Sequence, residues 1–416
     1  MQIEFLQKKL FYICLLFLIG LLFFSFFNFS KIEEKIVKKY PNLRFAKYLF
    51  KPNPLVNKIT NDYNVKFLPN TEFVKLNFEK KKINFKKQYY NPPKDESISY
   101  KTYGTFFIET YKKKILAIDF LGNIYSISDY KNLATTQDLK SDLKANRVYD
   151  TLVIEDVLYV AYSTIFDGCQ KINISFSKIK FNNLNFKKLF ESNKCDDRGT
   201  PGRMQNFVHN NQNGILLSTI GGSYDKPGNV AQDKSSILSK ILFIDLESKK
   251  NFIYSYGHRV TQGLYAENNL ILSTEHGPRS GDEINKILFN KNYGWPIASY
   301  GEKYSFNYEK EPFYKKNHEL SGFEEPLFSF VPSIGISEII KLPNNFSPHF
   351  QNKFIVSSLN GNSIFIITFD KNFSRVINQE KVFLNERIRD LKYDFQNKLI
   401  LLALEEKGEL GILSLK

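Results

Sequence analysis

Residues 275–300 read EHGPRSGDEINKILFNKNYGWPIASY, and this stretch governs the reading of the whole chain. It holds a Gly-Pro pair at Gly277 and Pro278, then Gly281 beside Asp282 and Glu283, then Tyr293-Gly294-Trp295-Pro296. Glycine frees the backbone and proline removes a hydrogen-bond donor, so a strand interior does not tolerate them at this density. The stretch therefore predicts an ordered loop between strands. Loops held by a rigid scaffold are where binding sites gather. On composition alone, a long surface crossover carrying a core Trp also fits.

Outward from this loop the text is short and strand-like on both sides. Upstream stand FFIETY, ILAIDF, TLVIEDV, VLYVAYSTI, ILLSTIG, KILFIDL, FIYSYG and LILSTE; downstream stand EIIKL, FIVSSL, SIFIITFD, LILLALEE and ELGILSL. The runs are β-branched and aromatic, and Gly, Asn, Asp or Lys bound them. No helical pattern interrupts them after residue 65. Many short strands in groups of three or four suit a β-propeller better than a sandwich. At roughly 40 to 60 residues per blade, six blades is the natural division. Repeat signatures of the WD or kelch type are absent, so periodicity alone does not fix the blade count.

The chain has 416 residues, 42% of them hydrophobic and 15% aromatic, which supplies a sizeable core and excludes large-scale disorder. Residues 1–30 are a separate object. After Lys8 and Lys9 no charge appears until Lys31. The 21 residues from Leu10 to Ser30 would span roughly 31 Å as a helix, the thickness of a hydrocarbon core. The run ends in SFFNFSK with no small-residue cleavage site, so it reads as an uncleaved signal anchor and transmembrane helix. Residues 31–65 read as a tether and 66–416 as the propeller. Basic residues before the span favour an N-terminus inside. The expected location is the inner membrane, single-pass, with the main domain in the periplasm. Cys169 and Cys195 could close a loop by a disulfide in that oxidising compartment; two free, buried cysteines are the alternative. The net charge of +15 does not make a nucleic-acid protein. The lysines fall in short clusters, Lys80 to Lys82 and Lys112 to Lys114, that interrupt strand-like text, and no recognition module accompanies them.

With the loop and the all-β pattern in place, the sequence resembles the glucose/sorbosone dehydrogenase family. These are aldose sugar dehydrogenases that use pyrroloquinoline quinone (PQQ) and calcium on a six-bladed propeller. The resemblance is carried by PGR at 201–203, GHRVTQGL at 257–264, EHGPRSGDEIN at 275–285 and KNYGWPIASYG at 291–301. PSIGIS at 332–337, FIVSSLNG at 354–361 and RIRD at 387–390 complete it. The resemblance implies that main-chain carbonyls of Gly277 and Pro278 hold calcium, a hard cation that takes oxygen ligands. It implies that His276, Arg259 and Gln262 lie in the cofactor pocket. Arg387 and Arg389, at strand spacing i, i+2, would face one way and stabilise the reduced, anionic quinone. An ion pair between blades or at the surface is the alternative for the arginines. Asp282 and Glu283 read as residues that fix the loop.

The sequence departs from the family at three positions. Sugar oxidation needs a base for the hydroxyl proton, and the position of the family's His is Gly199. The family's Asn after GHR is Val260, and its Lys in the strand-end motif is Asn360. Asp196 and Asp197 are candidate substitute bases. Two functions follow as expectations. One is a membrane-anchored oxidoreductase acting on a sugar or related alcohol through PQQ. The other is a non-catalytic propeller that binds a sugar or a protein. With no C-x-x-C-H haem signature, electrons would leave to a separate acceptor.

Overall fold

The structure is a computed structural model that describes residues 67–69, 76–82, 104–128, 136–193, 200–221, 229–303 and 314–415. The expected anchor (1–30) and tether (31–65) lie outside the described residues, as do Cys195, Asp196, Asp197 and Gly199. Among the described residues no helix is long and apolar enough to cross a membrane.

The described chain forms six sheets, each a four-stranded antiparallel meander at its centre. The first blade runs Phe106–Tyr111, Lys114–Asp119, Ile124–Ile127 and Thr136–Ser141; the second runs Arg147–Ile154, Val157–Phe166, Cys169–Lys178 and Lys187–Glu191. The third is Thr200–His209, Gln212–Ile220, Lys240–Asp245 and Asn251–Tyr256. The fourth, which carries the motif-rich loop, is Thr261–Glu267, Leu270–Glu275, Asp282–Lys286 and Phe328–Phe330. The fifth is Ile336–Lys341, Lys353–Ser358, Ser363–Phe369 and Val376–Phe383. The sixth takes Ile388–Asp394, Leu399–Leu404 and Glu409–Leu415 from the C-terminus and its outer strand, Leu76–Lys82, from near the N-terminus. That strand pairs antiparallel from Leu76 against Leu415 to Lys82 against Glu409, closing the ring with hydrogen bonds between distant parts of the chain. The all-β, six-bladed propeller expected from the strand pattern is therefore the fold.

The core lies between blades. Side chains alternate along a strand, so Phe106 and Ile108 pack on the sixth blade while Phe107 and Tyr111 pack on the second. Six apolar clusters repeat this arrangement, one at each seam around the ring. Burial on both faces explains why the strands read as near-continuous apolar runs instead of alternating ones.

Meander geometry fixes where loops meet. In an antiparallel sheet the turn between the second and third strands lies at the same end as the linker into the next blade. Turns 276–281, 359–362 and 405–408 thus share one end with linkers 257–260, 331–335 and 384–387. The segment after Lys286 returns to that end: Tyr293 N donates to Tyr256 O at 2.9 Å and Trp295 N to Gly257 O at 2.9 Å. Every motif singled out in the fourth to sixth blades arrives at this mouth.

Candidate active site at the propeller mouth

Three motifs lock together around Arg259. Its backbone N–H donates to Glu275 Oε2 at 3.0 Å, and its Nη1 donates to the carbonyls of His276 and Gly277, both at 2.8 Å. The guanidinium carbon lies 5.1 Å from the centre of the Trp295 ring, a cation–π distance. Glu275 also accepts from His258 Nδ1 at 2.7 Å and from Ser273 at 3.2 Å. Burial opposes its charge, but His258 and these donors hold its pKa below the usual carboxylate value. The His258 ring stacks on Tyr293 at 4.6 Å.

Asp282 sets the turn itself. Its Oδ1 accepts from Gly277 N at 3.0 Å, and its Oδ2 accepts from Ile334 N at 3.0 Å and Ile336 N at 2.9 Å. One carboxylate therefore ties the EHGP turn to the PSIGIS linker, the loop-fixing role expected of it. The turn is tight enough that a Cβ on Gly277 would lie 1.9 Å from the Ser280 carbonyl oxygen. Glu283 faces inward, where burial and the neighbouring Glu275 push its pKa well above the usual range.

The two arginines of RIRD meet on one acid. Arg387 Nη2 donates to Glu405 Oε1 at 2.7 Å and Arg389 Nε to Glu405 Oε2 at 2.7 Å. Arg389 Nη1 donates to Gln262 Oε1 at 2.8 Å, and Arg387 Nη1 to Leu359 O at 3.1 Å. Glu405 is fully buried; burial works against its charge, yet Arg389 and Arg387 hold its pKa down at about 2. The ion pair lies within the sixth blade and leaves the arginine side chains about one seventh exposed, Arg387 at 14% and Arg389 at 15%.

A buried cage supports this layer. Arg203 Nη1 lies 2.9 Å from Asp150, 3.2 Å from Asp390 and 3.3 Å from Glu338. Its Nε donates to Gln262 O at 2.7 Å and its Nη2 to Arg389 O at 2.6 Å, so the cage grips the backbone of both site residues. Burial disfavours the Arg203 charge, but Glu338, Asp150 and Asp390 raise its pKa regardless. Glu338 is pushed up to about 8, chiefly by burial. Nearby, Lys392 pairs with Glu109 at 2.8 Å.

His276 stands between the two arginine groups. Burial lowers its pKa, and Arg259 and Arg389 lower it further while Asp282 opposes them. Its buried Nε2 has no hydrogen-bond partner among the described residues. Arg259, Gln262, His276, Gly277, Arg387 and Arg389 are thus brought to one mouth. Pro278 is buried in the same turn. Val260 is buried and contributes its carbonyl to His276 N at 2.9 Å, and Asn360 is exposed. Of the other histidines, His318 is buried 3.7 Å from Glu283, His349 pairs with Glu380, and His209 packs among aromatic rings. Sequence reasoning missed Glu405, Arg203, Asp150, Glu338 and Asp390 as parts of the site.

This donor set fits a small, multiply anionic, planar group. Guanidinium groups are fixed by Glu405 and by Trp295, an amide is oriented by Arg389, and a buried imidazole nitrogen awaits a partner. It fits a divalent cation less well. The Gly277 carbonyl accepts from Arg259, and both Asp282 oxygens accept from backbone N–H groups.

Fold and site together define a six-bladed propeller whose mouth carries arginines set against buried acids. The chain belongs to the Glucose / Sorbosone dehydrogenase family, an oxidoreductase family whose sequence profile matches residues 147–412, well over half of its length. Aldose sugar dehydrogenase YliI of Escherichia coli is 29% identical over 214 residues, covering 47% of this chain and 56% of the relative. The matched stretches span about half the length of the curated relatives. The apo crystal structure of the soluble aldose sugar dehydrogenase from Escherichia coli superposes with a TM-score of 0.63 at 17% identity, covering 82% of this chain and 99% of that one. The PQQ-bound aldose sugar dehydrogenase of Streptomyces coelicolor gives a TM-score of 0.53 at 16% identity, covering 73% and 91%. At these identities the structural likeness establishes the fold.

Proposed function

We propose that this chain oxidises a sugar or related alcohol at the propeller mouth, using PQQ. The observation that carries this reading is the convergence of Arg259, Gln262, His276, Arg387 and Arg389 on one recess. Family membership and a PQQ-bound relative support it. Bound there, PQQ would supply the electron sink for a two-electron oxidation. Arg387 and Arg389 would hold anionic groups, and Glu405 would fix the direction in which they point. Arg389 orients the Gln262 amide, leaving its Nε2–H₂ as a donor. Trp295 and the EHGP turn form a rigid wall that limits water.

The hydroxyl proton of the substrate needs an acceptor. Asp196 and Asp197 remain the proposed candidates, because the family's base position is Gly199. Calcium at the Gly277 and Pro278 carbonyls, as the family reading has it, would have to share the Gly277 oxygen with Arg259. The anchor at 1–30, the periplasmic location and the Cys169–Cys195 bridge complete the proposal. Electrons would then pass to a separate acceptor outside the cytoplasm.

A second reading is favoured by Val260, an apolar, buried residue where the family has Asn, and by Gly199 and Asn360. Under it the mouth binds a sugar or a protein without chemistry. Assay of the full chain in detergent separates the two. The test adds PQQ, an aldose panel and a dye acceptor. Dye reduction that Asp196→Asn or Asp197→Asn abolishes supports oxidation. PQQ binding without turnover of any sugar supports the second reading.

A further inference from the structure

We propose that the end of the propeller opposite the mouth docks on an anionic lipid bilayer. The inference rests on the anchor proposed for residues 1–30, which would hold the chain at a membrane, and it adds which face turns toward the lipid. Exposed basic residues stand in the turns at that end in five blades. They are Lys112 and Lys113 in the first, Lys180 in the second, Lys249 and Lys250 in the third, Lys371 and Arg375 in the fifth, and Lys398 in the sixth. The exposed acids there are Glu155, Asp156, Glu247 and Glu267 among the described residues. Two of them already face lysines, Asp156 beside Lys112 at 3.8 Å and Glu267 beside Lys341. The mouth end differs. Its exposed charges in the described turns and linkers balance, Lys144, Lys234 and Lys407 against Asp142, Asp167, Asp233 and Glu406. Between the two ends, the excess of exposed positive charge lies on the one away from the mouth.

Exposed aromatic rings stand at the same end. Phe395, in the turn that also holds Lys398, is 72% exposed. Phe289, just past the end of Asp282–Lys286, is 51% exposed and rests on His209 at 5.1 Å and on Phe252 at 6.0 Å. Phenylalanine beside lysine suits the headgroup boundary of a bilayer, where rings enter the acyl edge and ammonium groups stay with the lipid phosphates. The chain also arrives from this side. Phe67–Pro69 pairs parallel with Val376–Phe383, and Leu76–Lys82 pairs antiparallel with Glu409–Leu415, so both strands run from this end toward the mouth. Charge alone would suit a nucleic acid as well; the arrival of the anchor-bearing part of the chain at this end favours the bilayer. Docked this way, the mouth opens to the aqueous side, where a soluble sugar and a soluble acceptor can reach it.

Trp295 is the single tryptophan of the chain and lies at the mouth, so the parent reports on the far end. Phe395→Trp adds a reporter on the docking face. Both full chains are reconstituted into vesicles of phosphatidylcholine and phosphatidylglycerol in equal parts, with bromine on the acyl chains as a contact quencher. The emission added by Phe395→Trp should be quenched and that of Trp295 should not. Each basic group near an anionic surface strengthens binding about fivefold. Lys112→Glu, Lys113→Glu, Lys249→Glu and Lys250→Glu together should therefore abolish the quenching while the anchor keeps the chain on the vesicles. Salt at about 1 M, which screens charge within about 3 Å, should weaken it in the same way. Unquenched Phe395→Trp emission in vesicles that carry the chain overturns the inference. So does stronger quenching of Trp295, or quenching that the quadruple variant leaves unchanged.

The anchor reading fails separately. If the chain does not float with vesicles of phosphatidylcholine alone, residues 1–30 do not hold it in a bilayer, and flotation with the phosphatidylglycerol vesicles then decides. Flotation that the quadruple variant loses upholds the docking face; no flotation overturns it. Tighter binding to polyuridylic acid than to these vesicles would assign the face to nucleic acid and overturn the inference. Should Phe395→Trp fail to fold, Phe289→Trp reports on the same end and must be quenched under the same conditions; unquenched emission from it overturns the inference.

Discussion

Arg389 donates its Nε to Glu405 Oε2 at 2.7 Å, while the other oxygen of the same buried carboxylate takes Arg387. One acid thus aims two cations at the mouth. Glu405→Gln keeps the shape but removes the charge that both guanidinium groups need. Breaking a buried ion pair from one side costs about 3–5 kcal/mol, and urea unfolding of the variant should show a loss of that size. The acid dependence has a definite sign. With a folded pKa of about 2 against an ordinary 4.5, Glu405 contributes stability that is full above 4.5 and lost as pH falls toward 2. The variant should lack that acid-side loss. An unchanged acid profile would mean that Glu405 carries no such linkage.

Glu338 predicts the opposite trend. Its pKa rises from 4.5 to about 8 inside the Arg203 cage, so the folded state keeps a proton that the unfolded chain has released. Stability from this group is full below 4.5 and declines as pH climbs toward 8. Each unit of pH in that window should cost about 1.4 kcal/mol for one proton. Glu338→Gln removes the titrating group. Its unfolding free energy should therefore decline less steeply than the parent's between pH 5 and pH 8, as read by urea titration at several pH values. Parallel profiles would show that another group carries the slope.

Asp282 links the EHGP turn to the linker that starts the fifth blade. Replacing it by Asn keeps one acceptor oxygen and puts an NH₂ group against backbone N–H donors. Hydrogen bonds to a charged acceptor contribute about 1.5–3 kcal/mol each, so the segments it holds should open more often. Hydrogen exchange should speed up at Gly277, Ile334 and Ile336, whose N–H groups it accepts. The first blade should keep its protection. Uniform acceleration across all blades would point to global destabilisation instead.

The mouth was legible in the sequence because its key residues carry backbone constraints. Gly277 is required by a close approach, Gly257 by a φ of +77° and contact with Asn292, and such needs show in one dimension. Arg387 and Arg389 declared their shared direction through strand spacing. Their partner did not: Glu405 is one of two adjacent acids at the end of an ordinary strand. The cage was invisible for the same reason. Arg203 and Asp390 are 187 residues apart in sequence, and nothing local marks Asp150 or Glu338 as interior. Buried charge is read from three-dimensional partners, not from residue type. Blade number also needed the sheets, since the repeats carry no shared signature.

The Lys80 to Lys82 cluster shows the limit most clearly. As text it interrupts a strand pattern; in the fold it is the end of the strand that completes the sixth blade. Phe78 packs on the seam between the fifth and sixth blades, and Lys80 Nζ lies 2.6 Å from Glu386 in the linker that leads to Arg387. Removing residues 1–82 would strip the outer strand from Glu409–Leu415 and leave that sheet edge unpaired. An exposed, apolar edge is a template for aggregation. A chain starting at residue 83 should therefore appear in the insoluble fraction. A chain starting at residue 62 keeps the closing strand and should melt cooperatively. Adding the missing strand back as a separate peptide should rescue the shorter chain, because the register from Leu76 to Lys82 supplies a complete set of backbone partners. A soluble, cooperatively melting chain from residue 83 would mean that the ring holds without this closure, and that the inter-blade clusters suffice.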